Sequence, residues 1–168
     1  MKHIFLIGFM GCGKSTIARK LSSQLGLPQV EMDEQIVKEQ GMPITEIFEK
    51  YGEAHFRDIE TDLLKRICEQ EGAIVSCGGG AVLREENITM MKSAGCIVLL
   101  TAKPETILER VKHNHDRPVL NGHMNVDYIA ELMENRRACY EEAADFVVAT
   151  DGKSIEQICE EIRTTKCQ

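Results

Sequence analysis

Gly8-Phe9-Met10-Gly11-Cys12-Gly13-Lys14-Ser15-Thr16 is the stretch whose reading decides the fold. It follows an apolar run, His3-Ile4-Phe5-Leu6-Ile7, and leads into a helical pattern beginning near Lys14. A strand, a glycine-rich turn and a helix in that order make a phosphate cradle. Without side chains at Gly8, Gly11 and Gly13 the loop can curl until its N–H groups converge on phosphate oxygens. The N-terminus of the following helix adds orphan N–H groups and a partial positive charge. Lys14 can reach the terminal phosphates, and the Ser15 hydroxyl can be offered to Mg²⁺. A chance glycine-rich turn has no need of this full spacing between a strand and a helix. Gly11, Cys12, Gly13, Lys14, Ser15 and Thr16 are therefore assigned to a nucleoside triphosphate bound with Mg²⁺.

Outward from the loop, short β-branched or apolar runs recur at 3–8, 29–32, 73–77, 96–101 and 146–149. Helical patterns separate them, at 14–25, 53–70, 85–94, 104–112, 125–143 and 154–165. Strands alternating with helices predict an α/β fold, a parallel sheet covered on both faces. Chemistry in such sheets is expected beyond the carboxyl ends of the strands. Two regions depart from the plain alternation. Residues 33–60 are charged and helical, broken at Gly41-Met42-Pro43 and at Gly52, and are expected to form a substrate insert. Residues 112–125 are polar and loop-like, and read either as a lid or as an ordinary surface loop.

The chain of 168 residues suits one domain, 1–168, with a core of its own. Its net charge of −7 argues against general nucleic-acid binding, which needs a basic surface. An anion site must then be a local cluster of Arg and Lys. No apolar run approaches the roughly 20 residues that span a bilayer. A strand at the very start leaves no room for a signal peptide, so the cytoplasm is the expected location. Seven cysteines, with no C-x-x-C pair, point to free thiols rather than a disulfide framework or a zinc site. Cys12 stands apart because it lies inside the phosphate loop. A thiol at a helix N-terminus beside Lys14 is expected to have a lowered pKa and raised reactivity, the alternative being a buried, inert thiol.

The strand ends supply the remaining candidates. The second strand closes with Val30-Glu31-Met32-Asp33, and in extended chain Glu31 and Asp33 share one side. One carboxylate can assist Mg²⁺ and the other can take the proton from an attacking hydroxyl. Asp33 could equally cap the following helix. The third strand runs into Gly78-Gly79-Gly80, more glycine than a tight turn requires, as if a ligand approached bare backbone there. Ser76, two residues before the triplet, stands where a phosphate-loop protein often places a polar group near the metal or γ-phosphate. Glu53, Arg57 and Glu60 share a helix face at i, i+4 and i+3 spacing, which reads as a solvated salt-bridge face or as an arginine fork aimed at a carboxylate. In Asp116-Arg117-Pro118 a stiffened lid carries a cation that suits closure over phosphates. Arg136 lies four residues before Tyr140 on a predicted helix.

Together these residues resemble the shikimate kinase family over essentially the whole chain. The resemblance rests on Gly8 to Thr16, the acidic pair Glu31 and Asp33, Gly52-Glu53-x-x-Phe56-Arg57-x-x-Glu60, Gly78-Gly79-Gly80, Arg117-Pro118-Val119-Leu120 and Arg136-x-x-x-Tyr140. It implies a three-layer α/β/α fold of P-loop, nucleoside monophosphate kinase type, with a five-stranded parallel sheet of order 2-3-1-4-5. It also implies transfer of the ATP γ-phosphate to the 3-hydroxyl of shikimate. By the same resemblance Asp33 would hold that hydroxyl and act as base, with Lys14 and Arg117 as its catalytic companions. Arg57 and Arg136 would bind the carboxylate. Gly78, Gly79 and Gly80 would contact the substrate, and Arg110 would lie near adenine. Ser15 and Glu31 would serve the metal. Glu31 is a departure, because the family usually has Asp at that position and Glu carries one more methylene.

Two other readings stand beside this one. A gluconate-type kinase would share loop and fold, whereas a nucleotide-dependent binding module would lack catalysis. Arg57, Arg136 and the triple glycine favour the first reading, as does the presence of Lys14, Ser15, Asp33 and Arg117 together. With every motif on one chain, a monomer is expected.

Overall fold

The computed structural model describes residues 2–9, 11–111 and 125–165. The chain begins with β1 (His3–Ile7), every residue of which is buried. It lies at the centre of a five-stranded parallel sheet with β2 (Gln29–Glu31), β3 (Ile74–Ser76), β4 (Gly95–Thr101) and β5 (Phe146–Ala149), in the order β2-β3-β1-β4-β5. Leu6 stands opposite Ser76 on one side and Val98 on the other. A parallel sheet covered on both faces needs near-continuous apolar strands, and β1, β3 and β4 have them.

The helices follow their apolar stripes. α1 (Lys14–Leu25) buries Ile17, Ala18 and Leu21, and ends at Gly26 in the left-handed conformation. It packs beside α7 (Ile155–Thr164), whose start is fixed by a reciprocal Ser154–Gln157 capping box. α2 (Met32–Gln40) packs on α3 (Ile44–Cys68), and α3 on α4 (Glu85–Ala94). α5 (Pro104–Val111) packs on α6 (Val126–Ala143). The outcome is the expected three-layer α/β/α arrangement with the expected strand order.

The structure differs from the sequence reading at two places that matter for the site. β2 stops at Glu31, and Asp33 lies in the first turn of α2. Met32 and Ile36, both fully buried, set a helical i, i+4 stripe that overrides the extended pattern. Glu31 and Asp33 therefore share the site because the chain turns there, not through strand alternation. α3 begins at Ile44 rather than near residue 53, and Gly52 kinks it with φ 84° and ψ 170°. Only a glycine adopts that φ without strain. The kink brings Phe48 and Phe56 together, with ring centroids 5.0 Å apart.

Cys12, Cys68, Cys77, Cys139 and Cys159 are free thiols, as expected, whereas Cys96 is disulfide-bonded. That corrects the expectation of free thiols throughout, since spacing patterns reveal paired motifs and not a single bridge. No helix among the described residues is long and apolar enough to cross a membrane.

Candidate active site

The phosphate loop leaves the carboxyl end of β1. Gly8 has φ +146°, and a Cβ added there would collide with the backbone carbonyl oxygen of Leu100 on β4. Gly11 and Gly13 also have positive φ, and Gly13 caps α1 with no side chain to occupy its first-turn N–H groups. Lys14 Nζ donates to the carbonyls of Gly8 at 2.8 Å and Phe9 at 3.1 Å, so its ammonium is folded over the loop. Arg110, from α5, donates through Nη1 to the Gly11 carbonyl at 2.8 Å and to Thr150 Oγ1 at 3.5 Å. Its guanidinium thus ties α5 to the loop.

Glu31 joins this end to β2. Its Oε2 accepts from Ser15 Oγ at 2.8 Å and its Oε1 from Gln29 Nε2 at 2.6 Å. A hydroxyl and a carboxylate at the mouth of a phosphate cradle form an all-oxygen donor set. That set fits Mg²⁺, which prefers oxygen ligands shared with substrate phosphates.

The other end is built from four elements. Arg57 Nη1 lies 3.0 Å from Glu60 Oε1, in an ion pair whose side chains are 11% and 1% exposed. The solvated-face alternative fails here because the kink at Gly52 turns this face inward, while Glu53 remains exposed. Burial pushes the Glu60 carboxyl above the usual carboxylate range, and the Arg57 charge pulls it back. Among the described residues Arg57 Nε and Glu60 Oε2 are buried without a hydrogen-bond partner, two polar positions that suit a ligand or water. Tyr140, on α6, donates its hydroxyl to the Gly79 carbonyl at 2.5 Å.

The glycine triplet is explained by crowding and not by φ, since none of the three has a positive φ. A Cβ on Gly78 would lie 2.9 Å from both Asp33 Oδ1 and Glu60 Oε2. On Gly79 it would lie 3.2 Å from Arg136 Nη1, and on Gly80 it would overlap the Arg57 guanidinium. Bare backbone is what allows two carboxylates and two guanidinium groups to converge on one turn.

One cleft of about 730 Å³ connects the two ends, a size suited to small ligands. Gly11, Gly13, Lys14, Ser15, Glu31, Asp33, Arg57, Gly78, Gly79, Gly80 and Arg136 all line it, as does Ser76. Cys12, Thr16 and Arg110 do not line it. Cys12 is buried, and that burial raises its thiol pKa against the opposing pull of Lys14 and Arg110. Of the two alternatives this favours the buried thiol: desolvation outweighs the helix end and the nearby cations. Thr16 is exposed on α1. Arg117 and the lid at 112–125 lie outside the described residues, save Asn125. Sequence reasoning did not assign Glu60, Tyr140, Gln29 or the Phe48–Phe56 wall to the site. Glu60 and Tyr140 do sit inside quoted motifs, but nothing local marks them as buried.

A P-loop fold of this strand order, with acid, base and arginine groups around one cleft, defines a small-molecule phosphotransferase of the nucleoside monophosphate kinase type. The family model for shikimate kinase matches residues 10–166. A shikimate kinase of Thermodesulfovibrio yellowstonii is 42% identical over 162 residues, covering 96% of this chain and 93% of that protein. One from Geobacter sulfurreducens is 40% identical over 163 residues, covering 97% and 90%. The solved structure of Acinetobacter baumannii shikimate kinase in complex with shikimate superposes with a TM-score of 0.92 at 30% identity, covering 97% of this chain and 91% of that one. A gluconokinase from Sinorhizobium meliloti, at 22% identity and a TM-score of 0.54, shares the fold alone. The chain belongs to the shikimate kinase family, whose members use ATP with Mg²⁺.

Proposed function

We propose that the protein transfers the γ-phosphoryl group of ATP to the 3-hydroxyl of shikimate, giving shikimate 3-phosphate and ADP for aromatic amino-acid biosynthesis. The observation that carries the reading is the convergence of Asp33, Arg57 and Arg136 on Gly78–Gly80, in the same cleft as Lys14 and Ser15. Shikimate is a cyclic polyol carboxylate. Arg57 and Arg136 take its carboxylate, and the triplet backbone lies against its ring. The Phe48–Phe56 wall supplies the apolar side.

Asp33 holds the 3-hydroxyl and accepts its proton as the oxygen bonds to the γ-phosphorus and the bond to ADP breaks. Lys14 leaves its loop carbonyls to neutralise the phosphates, while Gly11 to Thr16 hold them through backbone and hydroxyl groups. Arg110 is assigned to the adenine side, and Arg117 to the charge of the transferring phosphoryl group. Ser15 and Glu31 would hold Mg²⁺, which when bound would offset the negative charge of the transferring phosphates. The insert at 33–60 and the lid at 112–125 belong to one domain. We infer a cytoplasmic location and a monomer, the second because every assigned motif lies within one chain.

The test is coupled ADP release with MgATP, with and without shikimate, using gluconate and a nucleoside monophosphate as control acceptors. Stimulation by shikimate alone is expected. Asp33→Asn should reduce it by roughly 10³-fold, the middle of the range for a lost general base, with ADP affinity preserved. Stimulation by gluconate instead would replace the acceptor assignment.

A further inference from the structure

We propose that Gln29 is a positioning residue for the metal end of the cleft, holding Glu31 so that its carboxylate keeps the Ser15 hydroxyl oriented. The inference rests on the reading above, that of an ATP- and Mg²⁺-dependent kinase. Gln29 and Glu31 are two residues apart on β2, so both side chains leave the same side of a strand pinned in register to Ile74 and Ser76. Gln29 Nε2 lies 2.6 Å from Glu31 Oε1 and also reaches the Ser15 carbonyl at 3.4 Å. The amide thus touches both members of the pair it orders.

The hydrogen-bond inventory explains why such ordering matters. Ser15 has one hydroxyl proton, donated to Glu31 Oε2 at 2.8 Å, which leaves the oxygen lone pairs for a hard cation. That proton stays in place only if the carboxylate stays in place. Glu has a longer and more mobile side chain than Asp, and a carboxylate with one oxygen unheld samples other rotamers. Gln29 occupies that second oxygen. An Asp at position 31 would be shorter by one C–C bond, about 1.5 Å. It could not bridge Ser15 and Gln29 together. Gln29 therefore matters only while residue 31 is Glu, and its amide bonds to Glu31 and Ser15 rather than to Asp33, Arg57 or Arg136.

The test is a double-mutant cycle read first on metal binding: Mn²⁺ affinity of the protein–ADP complex, measured by electron paramagnetic resonance. Gln29 is half-buried, so Gln29→Leu keeps the bulk and removes the donor. It is expected to weaken Mn²⁺ binding by about tenfold, the scale of a lost outer-sphere partner, and to raise the Mg²⁺ half-saturation of turnover by the same factor. Metal-free ADP affinity and the shikimate KM should stay within about 1.5-fold. In the Glu31→Asp background, whatever its own level, Gln29→Leu should change Mn²⁺ affinity by less than about 1.5-fold. Gln29→Glu, which sets a carboxylate against Glu31, should weaken Mn²⁺ binding at least as much as the Leu variant. Unchanged Mn²⁺ affinity in both Gln29 variants would overturn the inference, as would equal losses in the two backgrounds. A wild-type protein that fails to bind Mn²⁺ with ADP, or that ignores shikimate, would instead overturn the kinase reading.

Discussion

The two ends of the cleft are built on different principles. The nucleotide end is one run of chain, Gly8 to Thr16, and its polar groups are backbone N–H groups, one lysine and two hydroxyls. The acceptor end gathers Asp33 from α2, Arg57 and Glu60 from α3, the Gly78–Gly80 turn after β3, and Arg136 and Tyr140 from α6. Glycine does a different job in each. At Gly8 it makes room for backbone against backbone, and at Gly80 for backbone against a side chain. A backbone cannot retreat from an added methyl group, whereas a guanidinium on a flexible stem can. Damage to the first end should appear as lost stability, and damage to the second as lost acceptor recognition.

Gly8→Ala should show the largest effect. The new Cβ meets the Leu100 carbonyl at a φ of +146°, so strain and overlap act together. We expect a loss of about 4 kcal/mol, combining the penalties for an unsuitable φ and for overpacking, seen as a lower denaturant midpoint. A variant of wild-type stability would break the comparison at its first limb.

Glu60→Ala comes next and tests whether the acceptor end also carries structural weight. It leaves the Arg57 guanidinium, 11% exposed, without its counter-charge. Orphaning a buried charge typically costs several kcal/mol; for this pair at the cleft wall about 3 kcal/mol is expected. The shikimate KM should rise with it while ADP affinity holds. A change in ADP affinity of equal size would mean that the two ends are not separable.

Gly80→Ala isolates recognition. Arg57 must swing away from the new methyl group, and its bond geometry to a carboxylate is lost while the fold stays intact. The expected cost is about 2 kcal/mol in shikimate binding, roughly 30-fold in KM, with kcat less affected. A fall in thermal stability comparable to that of Gly8→Ala would show the two glycine roles to be the same.

This difference also explains what could be read from the sequence. The nucleotide end was legible because spacing alone specifies it: a strand, three glycines and a Lys-Ser pair leave few alternatives. The alternating α/β pattern was legible for a similar reason, and α1, α4 and β5 have the expected bounds. Arg57 and Glu60 illustrate what was not. Their i, i+3 spacing is that of any exposed salt bridge, and only the Gly52 kink and the packing of α3 decide that the pair is buried. Tyr140 stands four residues after Arg136, yet its bond to Gly79 joins residues 61 apart, which no local pattern specifies. Cys12 shows the opposite case: its sequence neighbours, a helix start and Lys14, favour a low thiol pKa, but burial, which spacing cannot show, reverses the sign of the shift.

The smallest predicted effect lies in the scaffold, at the start of β1 and so at the opposite end of that strand from the phosphate loop. His3 is 2% exposed, and its Nδ1 accepts from the Ala73 N–H at 3.1 Å, which fixes the neutral ring. Burial lowers its pKa below the usual 6.5. Below that value the unfolded chain binds a proton that the folded protein refuses, so stability falls as pH drops through about 6.5. Glu39, held at about 2 by its bonds to Arg66 and Gln35, loses its own contribution only at lower pH, between its unfolded value of 4.5 and about 2. Glu60 has the opposite sign, because its raised pKa means that protonation on acidification favours the folded state. His3→Asn keeps an acceptor for the Ala73 N–H and removes the titration. The difference in thermal midpoint between the two proteins, followed from pH 7 to 5, therefore reports His3 alone. The wild type should fall relative to the variant as pH decreases, with the shikimate KM of both proteins tracking together. A KM that diverged between them would tie the first strand to the acceptor end and dissolve the separation between scaffold and site.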